Sequence, residues 1–517
     1  MTATATSVHD LRALVRSCHP LIVIETVEED RIHQLLQSVA RQERIPLYEW
    51  SITRGLTKAE DGDTINRMTA PPLALLQHLG GLTLDALFWL KDLGAHLSDA
   101  ATARQLRDVV HHFARTRATC VVTGDPVTLP ADLDKAAIRY ELRLPDRDEL
   151  HTVVQSVLQS LRGQQTPSLA RATSETTPRV RPATRPAAPT LSPADYERIL
   201  RALNGMTLHQ ARQTVSQCLI EDGSLTADDL QTILARKAQA IKEGGLLEYY
   251  PVEDNRYELG GFAALKRWLD RAKVGFTPEA KALNLAPPRG LLLVGVPGCG
   301  KSLAAKAIAR DWGVPLLKLD AGRLFDKFVG ESEKNFRKAI AMAESLAPIV
   351  LWIDELEKAM VAGGSDTDGG LSRRLFGAFL TWMQEKRQEV FVVATANDLS
   401  ALPPELLRKG RFDEIFFVDL PDEAERQAIW TIHLRIRKQD PARFDIPRIV
   451  SASDGFSGAE IEQAVVAGLY RALHAKQPLA ATHLLDELSQ TVPLSVSRHE
   501  DIDRLRTLAQ ERFVNVR

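Results

Sequence analysis

The sequence predicts an α/β fold built twice, with parallel sheets covered by helices. Three observations predict it. Short apolar runs alternate with amphipathic helical stretches along both halves of the chain. One run, residues 290–294, leads into Gly295-Val296-Pro297-Gly298-Cys299-Gly300-Lys301-Ser302, which fits G-x-x-x-x-G-K-[ST] and is followed by a helical stretch at 303–310. Short motifs of the first half also recur, in the same order, in the second.

Composition narrows the classes. At 517 residues the chain has room for several domains. Its 44 % hydrophobic and 26 % charged residues are ordinary for a soluble globular protein. A formal net charge of -2 gives no global basic field for nucleic acid, and no nucleic-acid partner is expected. No apolar stretch is long enough to span a bilayer, and residues 1–6 lack the features of a signal peptide. Cys18, Cys120, Cys218 and Cys299 are scattered without ligand spacing. That argues against zinc and disulfides and suits a reducing, cytoplasmic setting.

In the first half, strands are expected at 20–26, 47–52, 87–92 and 119–124, with an amphipathic helix at 28–42. After the first strand, where a phosphate-binding loop would follow, the chain reads Glu25-Thr26-Val27-Glu28-Glu29-Asp30. There is no glycine or lysine, and the acids would repel phosphate, so no nucleotide site is expected there. Residues 163–192 are rich in Pro, Ser, Thr, Ala and Arg, with too few apolar groups to offset ordering entropy, and read as a flexible linker. Ser192-Pro193 then opens a set of short helices as an N-cap and N1 pair.

The repeat matches Leu87-Phe88-Trp89-Leu90-Lys91-Asp92 to Val350-Leu351-Trp352-Ile353-Asp354-Glu355 with a shared tryptophan. It matches Leu144-Pro145-Asp146 to Leu420-Pro421-Asp422, and Asn204-Gly205-Met206-Thr207 to Asp454-Gly455-Phe456-Ser457. Lys91 then replaces Asp354, and Gly124 replaces Asn397. The expected domains are a degenerate α/β domain at 1–162, the linker at 163–192, and a helical lid of the first copy at 193–245. A catalytic large domain at 246–422 and a C-terminal helical lid at 423–517 follow.

The second half carries the chemistry. In the loop, glycines let backbone N–H groups turn onto phosphates at a helix N-terminus. Lys301 would reach the β- and γ-phosphates, and the Ser302 hydroxyl would hold Mg²⁺. The apolar run at 349–353 ends in Asp354-Glu355. Asp354 would hold Mg²⁺, and Glu355 would polarise the attacking water as general base. A further strand ends in Asn397, a neutral amide suited to positioning water or the γ-phosphate. Arg408 and Arg411, in Leu407-Arg408-Lys409-Gly410-Arg411-Phe412-Asp413, offer planar donors for transition-state charge.

Taken together, these motifs and Gly455-Phe456-Ser457-Gly458-Ala459-Glu460 resemble the AAA-type (AAA+) ATPases of the FtsH, NSF and spastin group. The resemblance implies a P-loop NTPase sheet with a helical lid, preceded by a degenerate AAA-like domain with its own lid. It implies ATP and Mg²⁺, with ATP held by Gly295, Val296, Pro297, Gly298, Cys299, Gly300, Lys301, Ser302, Leu303, Gly260, Gly458 and Ala459. Asn397 becomes sensor 1. Arg408 and Arg411 become arginine fingers acting on a neighbour's ATP, which implies a homo-oligomeric ring, usually of six. Ala459 stands where other AAA+ clades carry a sensor 2 arginine. Phe328 and Val329, before Gly330, match the pore loop that grips extended polypeptide. Cys299 replaces the usual threonine of the loop. The whole chain also resembles a little-characterised AAA ATPase family of cyanobacteria, red-algal plastids and other bacteria. The features are the interrupted first half, Gly245-Leu246-Leu247-Glu248-Tyr249-Tyr250-Pro251 and Leu259-Gly260-Gly261-Phe262.

The expected function is therefore an ATP-hydrolysing ring that remodels or threads an unknown protein client. The alternative is a nucleotide-switched scaffold whose degenerate half binds a partner. No H-E-x-x-H occurs, which excludes a fused metalloprotease.

Overall fold

The computed structural model describes residues 3–60, 66–164, 192–222, 225–243, 245–251, 258–320, 331–358, 369–399, 402–406, 408, 410–510 and 513–517. The expected linker at 163–192 therefore lies almost wholly outside the described residues, and Phe328 and Val329 lie outside them entirely. Two compact units form, Met1–Ile233 and Leu234–Arg517. Among the described residues no helix is long and apolar enough to cross a membrane.

The first unit holds β1 (Leu21–Glu25), β2 (Leu47–Ser51), β3 (Gly55–Lys58), β4 (Leu87–Lys91), β5 (Thr119–Gly124) and β6 (Ile138–Arg139). They lie side by side as β3-β2-β4-β5-β1-β6, parallel except for the β2–β3 hairpin. The second unit holds β7 (Leu247–Tyr250), β8 (Gly290–Gly295), β9 (Leu316–Leu319), β10 (Ile349–Ile353), β11 (Val390–Ala396), β12 (Glu414–Val418) and β13 (Val514–Asn515). Their order is β13-β12-β8-β11-β10-β9-β7, with only β7 antiparallel to its neighbour. Once the added edge strands are set aside, both sheets share one order: second, third, fourth, first, fifth.

Central strands are buried on both faces, hence their near-continuous apolar runs. Alternate residues serve opposite faces. Leu292, Val294, Leu351 and Ile353 pack into one layer, and Leu291, Leu293, Val350 and Trp352 into the other. A separate core, built on Trp430, Leu434, Ile461 and Val465, holds the lid together.

The repeat extends to helix starts. The Asp422 carboxylate accepts from the Glu425 N–H at 2.8 Å, and Glu425 accepts from the Asp422 N–H at 3.1 Å. Asp146 and Glu149 do the same at 2.9 and 3.0 Å. The Ser457–Glu460 capping box that opens the helix Gly458–His474 has its match in Thr207 and Gln210, at the start of the helix Leu208–Asp222. One alignment is corrected. The pairings of β5 with β4 and with β1 put Thr123 at the place of Thr395. Asp125, not Gly124, therefore takes the place of Asn397.

Candidate functional site

The loop between β8 and the helix Lys301–Trp312 forms the centre of the site. Gly300, at φ +90, is the N-cap of that helix, a conformation that disfavours any side chain. A Cβ on Gly298 would lie 3.1 Å from Ser457 Oγ and 3.2 Å from Ala459 Cβ, so the lid needs glycine there to approach the loop. The Ala459 N–H donates to the Gly298 carbonyl at 2.9 Å.

Lys301 is 6 % exposed. Its ammonium donates to the Gly295 and Val296 carbonyls, each at 2.8 Å. Burial pulls its pKa down to about 8, and nearby Asp354, Glu355 and Glu357 oppose this. Burial pushes the Cys299 thiol up to about 12, which makes it an inert packing group.

Ser302 donates its hydroxyl to Asp354 Oδ1 at 3.0 Å, and Thr395 donates to the same oxygen at 2.6 Å. The register of β10 with β11, Ile353 opposite Ala394, brings Thr395 beside Asp354. Thr395 Oγ1 also accepts the Glu355 N–H at 3.0 Å. Glu355 has φ +51, which turns the chain sharply at the strand end. Its carboxylate accepts from Asn397 Nδ2 at 3.3 Å and pairs with Lys358 at 2.5 Å. The Asn397 N–H donates to Glu357 Oε1 at 2.9 Å. Glu357 is buried, its second oxygen has no partner, and burial raises its pKa.

These contacts bring Lys301, Ser302, Asp354, Glu355 and Asn397 together. They add three residues with no role in the sequence reading: Thr395, Glu357 and Lys358. Thr395 falls in the Thr395-Ala396-Asn397 motif, but only the offset between the strands gives its hydroxyl a role. Ser302 and Asp354 offer oxygen-only donors, with the Thr395 hydroxyl bonded behind Asp354. This suits Mg²⁺, which takes few protein oxygens and completes its shell with phosphate and water.

Arg408 and Arg411 lie elsewhere. Arg408 is exposed, and Arg411 is half-buried with one buried Nη without a partner. The Asp413 carboxylate accepts the Arg289 and Gly290 N–H groups at 2.6 and 2.9 Å, and the Arg289 guanidinium donates to the Gly410 carbonyl. This segment is therefore pinned where β8 begins, whereas the loop starts where β8 ends. The strand separates them by roughly 17 Å at ~3.3 Å per residue, beyond the reach of a side chain.

Gly260 and Gly458 line a cavity of about 20 Å³ beside the loop, with Phe262, Cys299, Asp419 and Val516 among its other walls. A second cavity, of about 290 Å³, lies between Pro297, Asn397 and residues of the helix His499–Gln510.

The first unit fills the corresponding places with its own charges. Lys91 Nζ lies 3.2 Å from both Glu29 and Glu49 and 4.0 Å from the Trp89 ring. Glu28, in the loop after β1, accepts the Leu208 and His209 N–H groups at 2.7 and 3.4 Å. Its other oxygen pairs with Arg31 at 3.4 Å. A side-chain carboxylate thus receives the lid helix here, where the Gly298 backbone carbonyl does so in the second unit.

Comparison with known proteins agrees with this layout. Residues 291–420 match the family model AAA, ATPase family associated with various cellular activities. Residues 7–142 match the N-terminal domain of SpoVK-like AAA ATPases, and residues 148–244 their second domain. The AAA domain-containing protein ycf46 of Trieres chinensis is 34 % identical over 504 residues, covering 97 % of this chain and 96 % of that protein. Its counterpart in Guillardia theta is 33 % identical, covering 97 % of this chain and 94 % of that protein. The cell division cycle protein 48 homolog of Archaeoglobus fulgidus is 32 % identical over 250 residues, which is 47 % of this chain and 34 % of that protein.

Proposed function

Because the chain belongs to the AAA ATPase family and matches ycf46 proteins over nearly their full length, we propose that it hydrolyses ATP as a ring and remodels a protein client. The single observation that carries the ring is the span of β8. Arg408 and Arg411 sit at one end and the phosphate loop at the other, so the arginines serve a neighbour's ATP.

In this reading the loop amides and Lys301 hold the triphosphate. Ser302 and Asp354 would hold Mg²⁺, which would offset the negative charge of the phosphates. Glu355 takes the proton of the attacking water as its oxygen bonds to the γ-phosphorus. The bond from that phosphorus to the β,γ-bridging oxygen breaks, giving ADP and phosphate. Asn397 orients Glu355 through its amide. Phe328 and Val329 grip the client, and residues 193–245 and 423–517 act as the two lids.

A second reading, a nucleotide-switched scaffold, is favoured by the first unit. Its would-be site is closed by Lys91 and Glu28, which frees that unit to bind a partner.

The test mixes two variants of the full chain. Lys301→Ala lacks a working loop, and the double variant Arg408→Ala/Arg411→Ala lacks fingers. Each alone is expected to be inactive, and mixing should restore ATPase activity, because intact fingers then meet intact loops. A mixture as inactive as its parts refutes action across subunits. Mass photometry of Glu355→Gln in Mg-ATP should give a closed ring. Phe328→Ala should keep hydrolysis and lose client work; if client work persists and the first unit is essential, the scaffold reading stands instead.

A further inference from the structure

Residues after the last lid helix return to the nucleotide-side edge of the second sheet. β13 pairs in parallel with β12, Val514 opposite Phe416 and Asn515 opposite Phe417. The Val516 N–H donates to the Phe417 carbonyl at 3.2 Å. The Val516 carbonyl accepts the Ala264 and Leu265 N–H groups at 2.9 and 3.4 Å. It thereby caps the helix Ala263–Lys273, whose own N-cap, Phe262, makes no side-chain capping bond. That helix begins directly after Leu259-Gly260-Gly261. The Val516 side chain is 3 % exposed and lines the small cavity with Gly260, Phe262 and Gly458.

Residues 419–422 join β12 to the first lid helix, Glu423–Ile436, and so form the hinge between sheet and lid. The last lid helix and this C-terminal stretch together hold the hinge at three points. Arg506 pairs with Asp419 at 3.0 Å. The Arg517 guanidinium donates to the Leu420 carbonyl and lies 3.8 Å from Asp422. Arg517 also pairs at 3.3 Å with Glu425, whose other oxygen accepts the Phe262 N–H at 3.4 Å. One guanidinium thus ties the hinge, the lid and the Gly260 segment together.

We infer that Val516 is a wall of the purine subsite and that Arg517 is a positioning residue that holds sheet and lid closed on the bound nucleotide. This rests on the reading above that nucleotide binds at Gly295–Ser302. At about 20 Å³ the cavity is too small for a purine as it stands, so entry and exit require the Ile429 and Gly458 side to part from the Phe262 and Val516 side. The Arg517 contacts then resist reopening, so they govern release.

The test is stopped-flow release of a fluorescent ADP analogue from the full chain, with steady-state ATPase alongside. Loss of the charge-assisted bonds in Arg517→Ala should speed release and raise Kd by about tenfold. Val516→Asp should do the same by setting a carboxylate against the ring. Arg517→Lys should recover part of the loss. For Arg517→Ala, kcat/KM should fall more than kcat, a split that mere destabilisation does not produce. Val516→Ala, a milder change, carries the test should Arg517→Ala fail to fold, with faster release again expected. Release as slow as wild type in the folded variants overturns the inference. Lys301→Ala separates the two readings. If it still binds the analogue, the nucleotide assignment fails. If it does not, while the Val516 and Arg517 variants match wild type, only the role of the C-terminal stretch fails.

Discussion

Replacing Thr395 with valine removes a hydroxyl and keeps the side-chain shape. In the structure that hydroxyl donates to Asp354 Oδ1 at 2.6 Å and accepts the Glu355 N–H at 3.0 Å, within a residue that is 1 % exposed. Thr395→Val therefore breaks two buried hydrogen bonds and leaves the Glu355 N–H unpaired. At about 1 kcal/mol per bond, with a further ~1–2 kcal/mol for the orphaned group, stability should fall by roughly 3 kcal/mol. The effect on activity is more specific. Asp354 keeps the Ser302 contact but loses the partner that fixes its rotation beside the β11 end. Outer partners of metal ligands are typically worth about 10–100-fold in metal affinity. The Mg²⁺ concentration for half-maximal ATPase should rise by that factor, while binding of nucleotide in EDTA changes little. Thr395→Ser, which keeps the hydroxyl, should restore most of the Mg²⁺ affinity. The assay is a Mg²⁺ titration of ATPase at fixed ATP, with thermal melts to confirm folding. A Thr395→Val curve that overlays wild type, or a serine variant as poor as valine, refutes the reasoning.

Two further outcomes follow from buried charge. Lys301 sits near pKa 8 in this structure because burial disfavours its ammonium. A triphosphate would favour the charged form, so binding above pH 8 should take up a proton and weaken as pH rises. Calorimetry in buffers of different ionisation enthalpy measures that uptake, which Lys301→Ala should lack. The sign for folding is the reverse: the penalty of burying the charged lysine is present below pH 8 and relieved as pH climbs toward its unfolded value near 10.5. In the first unit, Glu28→Ala strips the acceptor from the Leu208 and His209 N–H groups and a partner from Arg31. Loss of the cap and of a buried pairing should cost about 2–4 kcal/mol. Hydrogen exchange should speed at the start of the helix Leu208–Asp222, and unchanged protection there would show that Glu28 does not hold it.

How much of this was legible depended on what each feature is made of. The loop at 295–302 and the pair Asp354-Glu355 were readable because fixed residue types at fixed spacing carry the chemistry, and the sheet brings their ends together. The duplicated plan was readable from Leu-Pro-Asp and Asn/Asp-Gly matches, and the structure shows that these mark helix starts. β3, β7 and β13 were not, because four residues or fewer at an edge carry little periodicity and gain their structure from the neighbour they pair with. Thr395 stands in the Thr-Ala-Asn motif that the sequence shows, but only the register of β10 and β11 gives its hydroxyl two partners. The same register moved the counterpart of Asn397 from Gly124 to Asp125. Val516 and Arg517 gave no signal at all, since a carbonyl cap and a hinge clamp depend on where the chain returns in space.

Lys91 bears on the metal stoichiometry of the chain. In the second unit, on the proposed reading, the strand end would take a divalent ion from solution. In the first, the equivalent strand end carries a cation bonded to the chain, already shared between Glu29 and Glu49. A chelator can strip the one and never the other. A magnesium binding isotherm on this chain should thus show a single class of nucleotide-linked sites, with half the capacity that two working copies would give.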